Sequence, residues 1–379
     1  MSAHKPLGGK IFTAPFMFFL VIFLISLYFM ATRFMFGMGS VSNLNGGFSW
    51  GIWVVYDVII GTAFACGGYA VALTVYVLNK GKYHPLIRPA LLTSLLGYAL
   101  GGFGAFFDMG RWWQFYNIFL PGNWNFNSVL LEVGLCVALY VLVLFIEFSP
   151  AFLEKIGAKS LLDKLNKVMF FFIALGLLLP TMHQSSLGSL LIAMGHKVHP
   201  LWQTLHFQPL LAIITALTMG FSIVVFEGSF SAAGFNRYSE TPLLKRLGKG
   251  ILGLLIVYLI IRFSLLLLQG NAGYLLNADL ASFLFLVETI LFIIPVVILS
   301  SPSRRADGGK LLIAALAMLL GGSLYRFNAF LLTMDPGPGY SYFPSIPEMM
   351  VTLGIICFEL MVYLVLVKTL PVLHRRKRA

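Results

Sequence analysis

The sequence predicts an all-α polytopic membrane protein of about ten transmembrane helices, arranged as two four-helix bundles with peripheral helices. Three observations predict it. Hydrophobic residues make up 59% of the 379 positions and charged residues only 11%, against about 25% charged in an ordinary soluble domain. The apolar residues gather into runs close to the roughly 20 helical residues that cross a hydrocarbon core of about 30 Å. The loops between these runs alternate between being rich in Lys and Arg and being nearly free of them.

The runs fall at 12–34, 51–79, 88–107, 126–148, 166–187, 205–228, 247–269, 279–300, 309–333 and 348–370, and form one integral membrane domain over 1–379. Lys5 and Lys10 precede the first. Lys80, Lys82 and Arg88 follow the second, Lys155, Lys159, Lys164 and Lys167 the fourth, and Arg237, Lys245, Arg246 and Lys249 the sixth. Arg304, Arg305 and Lys310 follow the eighth, and Lys368, Arg375, Arg376, Lys377 and Arg378 close the chain. One side thus receives 21 of the 26 basic residues, and the positive-inside rule makes that side the cytoplasm, with both termini on it. The net charge of +12 then reflects topology and attraction to anionic lipid headgroups, not nucleic acid. The first run is too long for the apolar core of a signal peptide and lacks a small-residue cleavage site, so it is expected to stay as a helix. Cys66, Cys136 and Cys357 lie far apart in separate runs and form neither a CxxC motif nor an evident disulfide.

Four of the opposite, outer connections are longer and rich in Gly, Asn, Pro and aromatics: Gly37 to Trp50, Arg111 to Trp124, Leu187 to Thr204 and Met334 to Pro347. All six Trp residues, Trp50, Trp53, Trp112, Trp113, Trp124 and Trp202, lie near that side. They suit an interfacial aromatic belt, and ordered loops of this kind also suit a docking surface.

Ionisable residues inside apolar runs cost roughly 2.5–3.5 kcal/mol each at mid-membrane on insertion scales and need a reason to be there. Following the chain direction, Asp57 lies within about two turns of the outer face, the third run ends at Asp108 and Arg111, and Glu132 sits roughly 9 Å below the outer boundary. The fifth run passes Pro180 to reach His183 and Gln184. Packing runs two to five as a bundle would bring Asp57, Asp108, Arg111, Glu132 and His183 to one depth, a polar pocket under an aromatic lid. Glu132 and Glu147 are about 22 Å apart along one helix and on nearly the same face, a spacing suited to the two ends of a proton path; Tyr98 and Glu227 are candidate intermediate and exit groups. In the second half Arg262, Glu288, Arg326 and Glu359 alternate in sign and are expected to form structural ion pairs. Of the His residues, only His183 and His206 are placed to hold a haem between spans, and His196 and His199 lack a third metal ligand, so no metal site is expected.

Nine segments resemble the NrfD/PsrC family of respiratory membrane subunits, and within it the hydrogenase-associated HybB-like branch. They are Lys5-Pro-Leu-Gly-Gly-Lys10, Leu44-Asn-Gly-Gly-Phe-Ser-Trp-Gly51, Gly61-Thr-Ala-Phe-Ala-Cys-Gly-Gly68, Tyr83-His-Pro-Leu-Ile-Arg-Pro89, Leu165-Asn-Lys-Val-Met-Phe-Phe171, Leu179-Pro-Thr-Met-His-Gln-Ser-Ser186, Val198-His-Pro-Leu-Trp-Gln203, Met219-Gly-Phe-Ser-Ile-Val-Val-Phe-Glu-Gly-Ser229 and Gly337-Pro-Gly-Tyr-Ser-Tyr-Phe-Pro344. A membrane subunit of the high-molecular-weight cytochrome c complex is similar as well. The resemblance implies a subunit of the bacterial inner membrane that holds no metal cofactor of its own. Such a subunit lies beside an outer-face iron–sulfur protein with a four-cluster ferredoxin-like fold, together with hydrogenase subunits or a multihaem cytochrome c and, in some complexes, other membrane subunits. It exchanges electrons with exchangeable menaquinone, in some complexes with proton movement. Quinone chemistry needs donors aimed at carbonyl oxygens and a proton route. The positions that match these roles are Tyr98, Glu132, His183 and Glu227; the placement of the polar residues along the runs adds Gln184, Asp57, Asp108, Arg111 and Trp112 on the quinone side and Glu147 on the proton path. Two other functions fit the composition: a structural anchor for electron transfer to a cytoplasmic partner, and a secondary transporter with Gly- and Pro-broken helices.

Overall fold

Ten helices long and apolar enough to cross a membrane make up the computed structural model, which describes residues 5–237 and 240–373. They are α1 (Ala14–Phe36), α2 (Trp53–Val77), α3 (Gly81–Asp108), α4 (Val129–Ile156), α5 (Lys159–Lys197), α6 (Leu205–Gly234), α7 (Thr241–Leu268), α8 (Leu280–Ser300), α9 (Gly308–Leu332) and α10 (Ile346–Thr369). No strand occurs among the described residues. The protein is therefore an all-α, multi-pass membrane protein. Arg375, Arg376, Lys377 and Arg378, which belong to the charge asymmetry, lie outside the described residues.

Short connections make successive helices neighbours: α4 packs on α5, α6 on α7 and α8 on α9. α2 to α5 and α6 to α9 form two groups that meet where α2 and α5 pack on α6 and α2 packs on α9. The first and last helices, α1 and α10, pair with each other and lie against α3. α2 and α6 are the most deeply buried, α1 and α5 among the least. One end of the assembly carries the long aromatic connections and is called here the aromatic end; the other, the basic end, carries the Lys- and Arg-rich ones.

The centre is close-packed because small residues let backbones touch, as in membrane helix pairs generally. A Cβ added at Gly220 of α6 would lie 2.5 Å from the Cys66 carbonyl of α2, so any larger residue there pushes the two helices apart. α2 is also irregular. Its residues Trp53–Ile60 and Leu73–Val77 form wide π-type turns, and the helix breaks at Ala65 and Cys66 before resuming at Gly67. α9 likewise ends in wide turns over Asn328–Leu332. Turns of this kind shift backbone groups out of the regular ladder and concentrate at functional sites.

Candidate functional site

Arg326 lies at the centre of the molecule, buried, with no carboxylate among its hydrogen-bond partners in the described residues. Its Nε donates to the Ile59 carbonyl in the wide turns of α2 at 3.1 Å, Nη1 to Thr215 Oγ1 and Met219 Sδ at 3.3 Å each, and Nη2 to Gln184 Oε1 at 3.2 Å. Gln184 Nε2 in turn donates to Thr62 Oγ1 at 3.2 Å, and His183 Nε2 lies 3.1 Å from the same oxygen. The Tyr98 ring packs edge-on against both His183 and Tyr140, and its hydroxyl is 3.7 Å from Cys66 Sγ. Helices from both groups, α2, α3, α5, α6 and α9, thus contribute to one polar column. A fork with several fixed donors suits Arg for such a role.

A second buried site lies on the other side of α9. Arg262 Nη1 donates to Glu288 Oε1, while Glu288 Oε2 receives Trp202 Nε1 at 2.9 Å and Asn328 Nδ2 at 2.8 Å. The Arg262 guanidinium also sits 4.6 Å from the Phe285 ring centre and 5.2 Å from that of Tyr325. The Arg262–Glu288 pair therefore has the geometry of a structural tie. Arg326 and Glu359 do not complete a second pair: Arg326 is held as above, and Glu359 is half-buried on α10.

At the aromatic end, three carboxylates gather between α2, α3 and α10. Asp57 is packed beneath the α3 backbone, where a Cβ on Gly104 would lie 2.5 Å from its own Cβ, and its Oδ2 receives Thr352 Oγ1 at 3.3 Å. Glu348 accepts from Ser42 Oγ at 2.8 Å, Asn43 N at 3.0 Å, Ser345 N at 2.7 Å and Tyr342 Oη at 2.8 Å. Burial, with the bond to Glu348 adding to it, raises the Tyr342 phenol above its usual pKa, so it stays a donor. Asp108 Oδ1 is buried and has no hydrogen-bond partner among the described residues. Tyr342, Asp108 and Glu348 face the Cβ-less side of Gly51. A Cβ there would be 3.0 Å from Tyr342 Oη, 3.4 Å from Asp108 Oδ1 and 3.5 Å from Glu348 Oε1. A fourth charge stands beside them: buried Arg33 of α1 donates to the Phe107 carbonyl at 2.9 Å and to that of Met109 at the end of α3.

The candidate residues therefore divide. Asp57 and Asp108 come together at the aromatic end, whereas His183, Gln184 and Tyr98 belong to the central column. Trp112 stacks edge-on against Phe34 and Phe106, but Arg111 is exposed. Glu132 points away from the bundle and is exposed, so the structure does not bring it to the others. Glu147 is half-buried against Gly176 of α5, and Glu227 accepts a hydrogen bond from Tyr363 of α10. Trp50, Trp53 and Trp202 are buried and hydrogen-bonded to Phe330 O, Glu348 O and Glu288 respectively; they are internal anchors and not part of a lipid-facing belt. Sequence reasoning missed Arg33, Thr62 and Glu348. For Glu348 a signal was present, since Ser345-Ile-Pro-Glu348 is a capping box.

Among the described residues no three His, Cys, Asp or Glu side chains gather where they could hold a metal ion. Residues 40–333 match the family described as Polysulphide reductase, NrfD. The chain is 46% identical over 376 residues to the probable Ni/Fe-hydrogenase 2 b-type cytochrome subunit of Escherichia coli, covering 99% of this chain and 96% of that protein. It is 32% identical over 367 residues to a protein of Nitratidesulfovibrio vulgaris, covering 93% of each. A shorter likeness, 29% identity over 164 residues, links 41% of this chain to 37% of the integral membrane subunit of menaquinone reductase from the same organism. A match that runs from the loop before α2 to the end of α9, with relatives aligned along nearly the whole length, means that the chain belongs to the polysulphide reductase NrfD family.

Proposed function

We propose that this chain is the quinone-reactive membrane subunit of a respiratory oxidoreductase. In this role it exchanges electrons between menaquinone and an iron–sulfur partner docked on the aromatic end. Family membership supports the class, and the names of the hydrogenase and menaquinone reductase relatives support the two ends of the electron path. The positive-inside rule, applied to the basic residues, supports an aromatic end that faces outward from the inner membrane. Hydrogenase subunits or a multihaem cytochrome c would complete the complex.

The observation that carries the proposal to a place is the unpartnered Asp108 Oδ1 beside Glu348, Tyr342 and Asp57. A quinone gains or loses two electrons together with two protons, so its carbonyl oxygens need proton donors and acceptors within reach. Asp108 has a lone pair free to accept such a proton, and Asp57 is the next carboxylate inward. Glu348 is saturated by four donors and positions Tyr342. His183, Gln184 and Tyr98 sit deeper, in a column where protons would be held and not where a headgroup fits, because the cavity that Arg326 lines has room for only about 10 Å³. Glu147 and Glu227 are the candidate proton groups toward the basic end.

The Escherichia coli relative is named as a b-type cytochrome subunit, and a haem between spans would need two histidines at matched depth. His183 is buried with Nε2 at Thr62, while His206 is exposed; that pair does not fit two axial positions on one haem.

The test is Asp108→Asn in the assembled complex in liposomes. The substitution keeps the shape and removes the proton-accepting charge. Quinone-linked turnover is expected to fall by about 10²-fold, the lower range of general acid–base contributions, with assembly and partner-cluster reduction unchanged. Turnover at the unmodified rate would remove Asp108 from the mechanism.

A further inference from the structure

An apolar cleft of about 610 Å³ opens between α1, α3 and α10, outside the polar sites described so far. Two of its three walls, α1 and α10, lie outside the family-matched residues 40–333. Its floor is Met30, Phe107 and Ile355, all buried, and its rim is Leu27, Phe103 and Phe358, each more than a third exposed. The opening is therefore sideways, into the hydrocarbon. The cleft runs toward the aromatic face. There Phe34 packs on Phe107 and Trp112, and Arg33 is pinned across to the carbonyls of Phe107 and Met109.

From this geometry we propose that the cleft takes the polyprenyl tail of the quinone, with the headgroup directed to Asp108 and Asp57. The proposal rests on the quinone reading above and adds where the substrate enters and how the flanking helices hold it. Three features select this occupant. The volume is in the range of sites that bury most of a small ligand, roughly 300–1,000 Å³, and the walls are hydrocarbon and phenyl rings with no donor to orient a polar group. Asp108 follows directly on the floor residue Phe107, so a chain lying on that floor leads toward its buried Oδ1, which has no hydrogen-bond partner among the described residues.

The experiment fills the cleft in the intact complex. Ala31→Phe and Ala99→Phe each place a ring inside the lining, and Ile290→Phe on the exposed face of α8 serves as the control. KM is measured with a polyprenylated menaquinone and with a tailless dimethylnaphthoquinone. The expected result is a KM for the tailed quinone raised about tenfold or more, since several buried methylenes lose their place, with the tailless KM and the control unchanged. Equal KM changes for both quinones, or none, would overturn the tail site while leaving the quinone reading intact. No turnover of either quinone by the unmodified complex would overturn that reading and the tail site with it. A photoreactive polyprenyl quinone applied to the unmodified complex supplies a measurement independent of variant folding: labelling of α1, α3 or α10 supports the site. Labelling confined to other helices, or phospholipid in the cleft that the tailed quinone does not displace, overturns it.

Discussion

Glu288 receives three donors inside the apolar slab, and the consequence of removing it differs from that of neutralising it. Glu288→Ala strands the Arg262 guanidinium and leaves the Trp202 and Asn328 donors without their acceptor, so the loss is expected near the 3–5 kcal/mol typical of breaking one partner of a buried pair. Glu288→Gln retains an acceptor for Trp202 or Asn328 and is expected to cost markedly less. The midpoint of unfolding in mild detergent distinguishes the two, and equal midpoints would show the tie to be energetically idle. At this scale the sequence was legible only in part. Buried charges announced themselves by their cost in an apolar run, which singled out Asp57, Arg262, Glu288 and Arg326. What each would touch was not legible. Arg33 bonds to carbonyls on α3, and Glu348 to Ser42 and Asn43 some 300 residues away in sequence, and no local pattern encodes such meetings. Glu132 illustrates the converse, for its depth follows from the helical rise whereas its direction depends on which face α4 gives to α3 and α5.

Helix ends can be tested by acid. Asp279 caps α8, with Oδ1 receiving both the backbone N–H and the hydroxyl of Ser282 at 2.8 Å. Those bonds, the backbone one first, hold its pKa below the usual carboxylate value. A carboxylate whose folded pKa is depressed contributes its stabilisation fully above the unfolded value, about pH 4, and loses it as pH falls through the folded value. The first turn of α8 is therefore expected to exchange its amides faster, relative to intrinsic rates, as pH drops below about 4. Asp279→Asn, which still accepts these bonds, should flatten that dependence, and an unchanged slope in the variant would assign it to another group. The ten helices themselves were legible because length and hydropathy are local properties. The wide turns of α2 and α9 were not, since they exist where carbonyls such as those of Ile59 and Phe330 are drawn to Arg326 and Trp50 from distant helices.

For the whole molecule, the charge asymmetry predicts an orientation that fusions can read. Reporters inserted at Gly157, between α4 and α5, should behave as cytoplasmic, and those at Gly122 or Gly337, in the long aromatic loops, as periplasmic; a reversed pattern would invert the docking face proposed above. The division into a first and a second group of four helices was suggested by chain order, but their junction at α2, α6 and α9 depends on Gly220 and on the Arg326 fork, which no period reveals. That junction has an electrical consequence. Acidic groups lie toward both ends of the molecule, Asp57, Asp108 and Glu348 at one and Glu147 and Glu227 toward the other, and between them Arg326 is held, among the described residues, by neutral partners alone. A proton arriving from either compartment meets its repulsion in a medium of low permittivity. On the quinone reading proposed above, that charge raises the barrier to a proton crossing the central column, and each set of carboxylates equilibrates first with the compartment it faces.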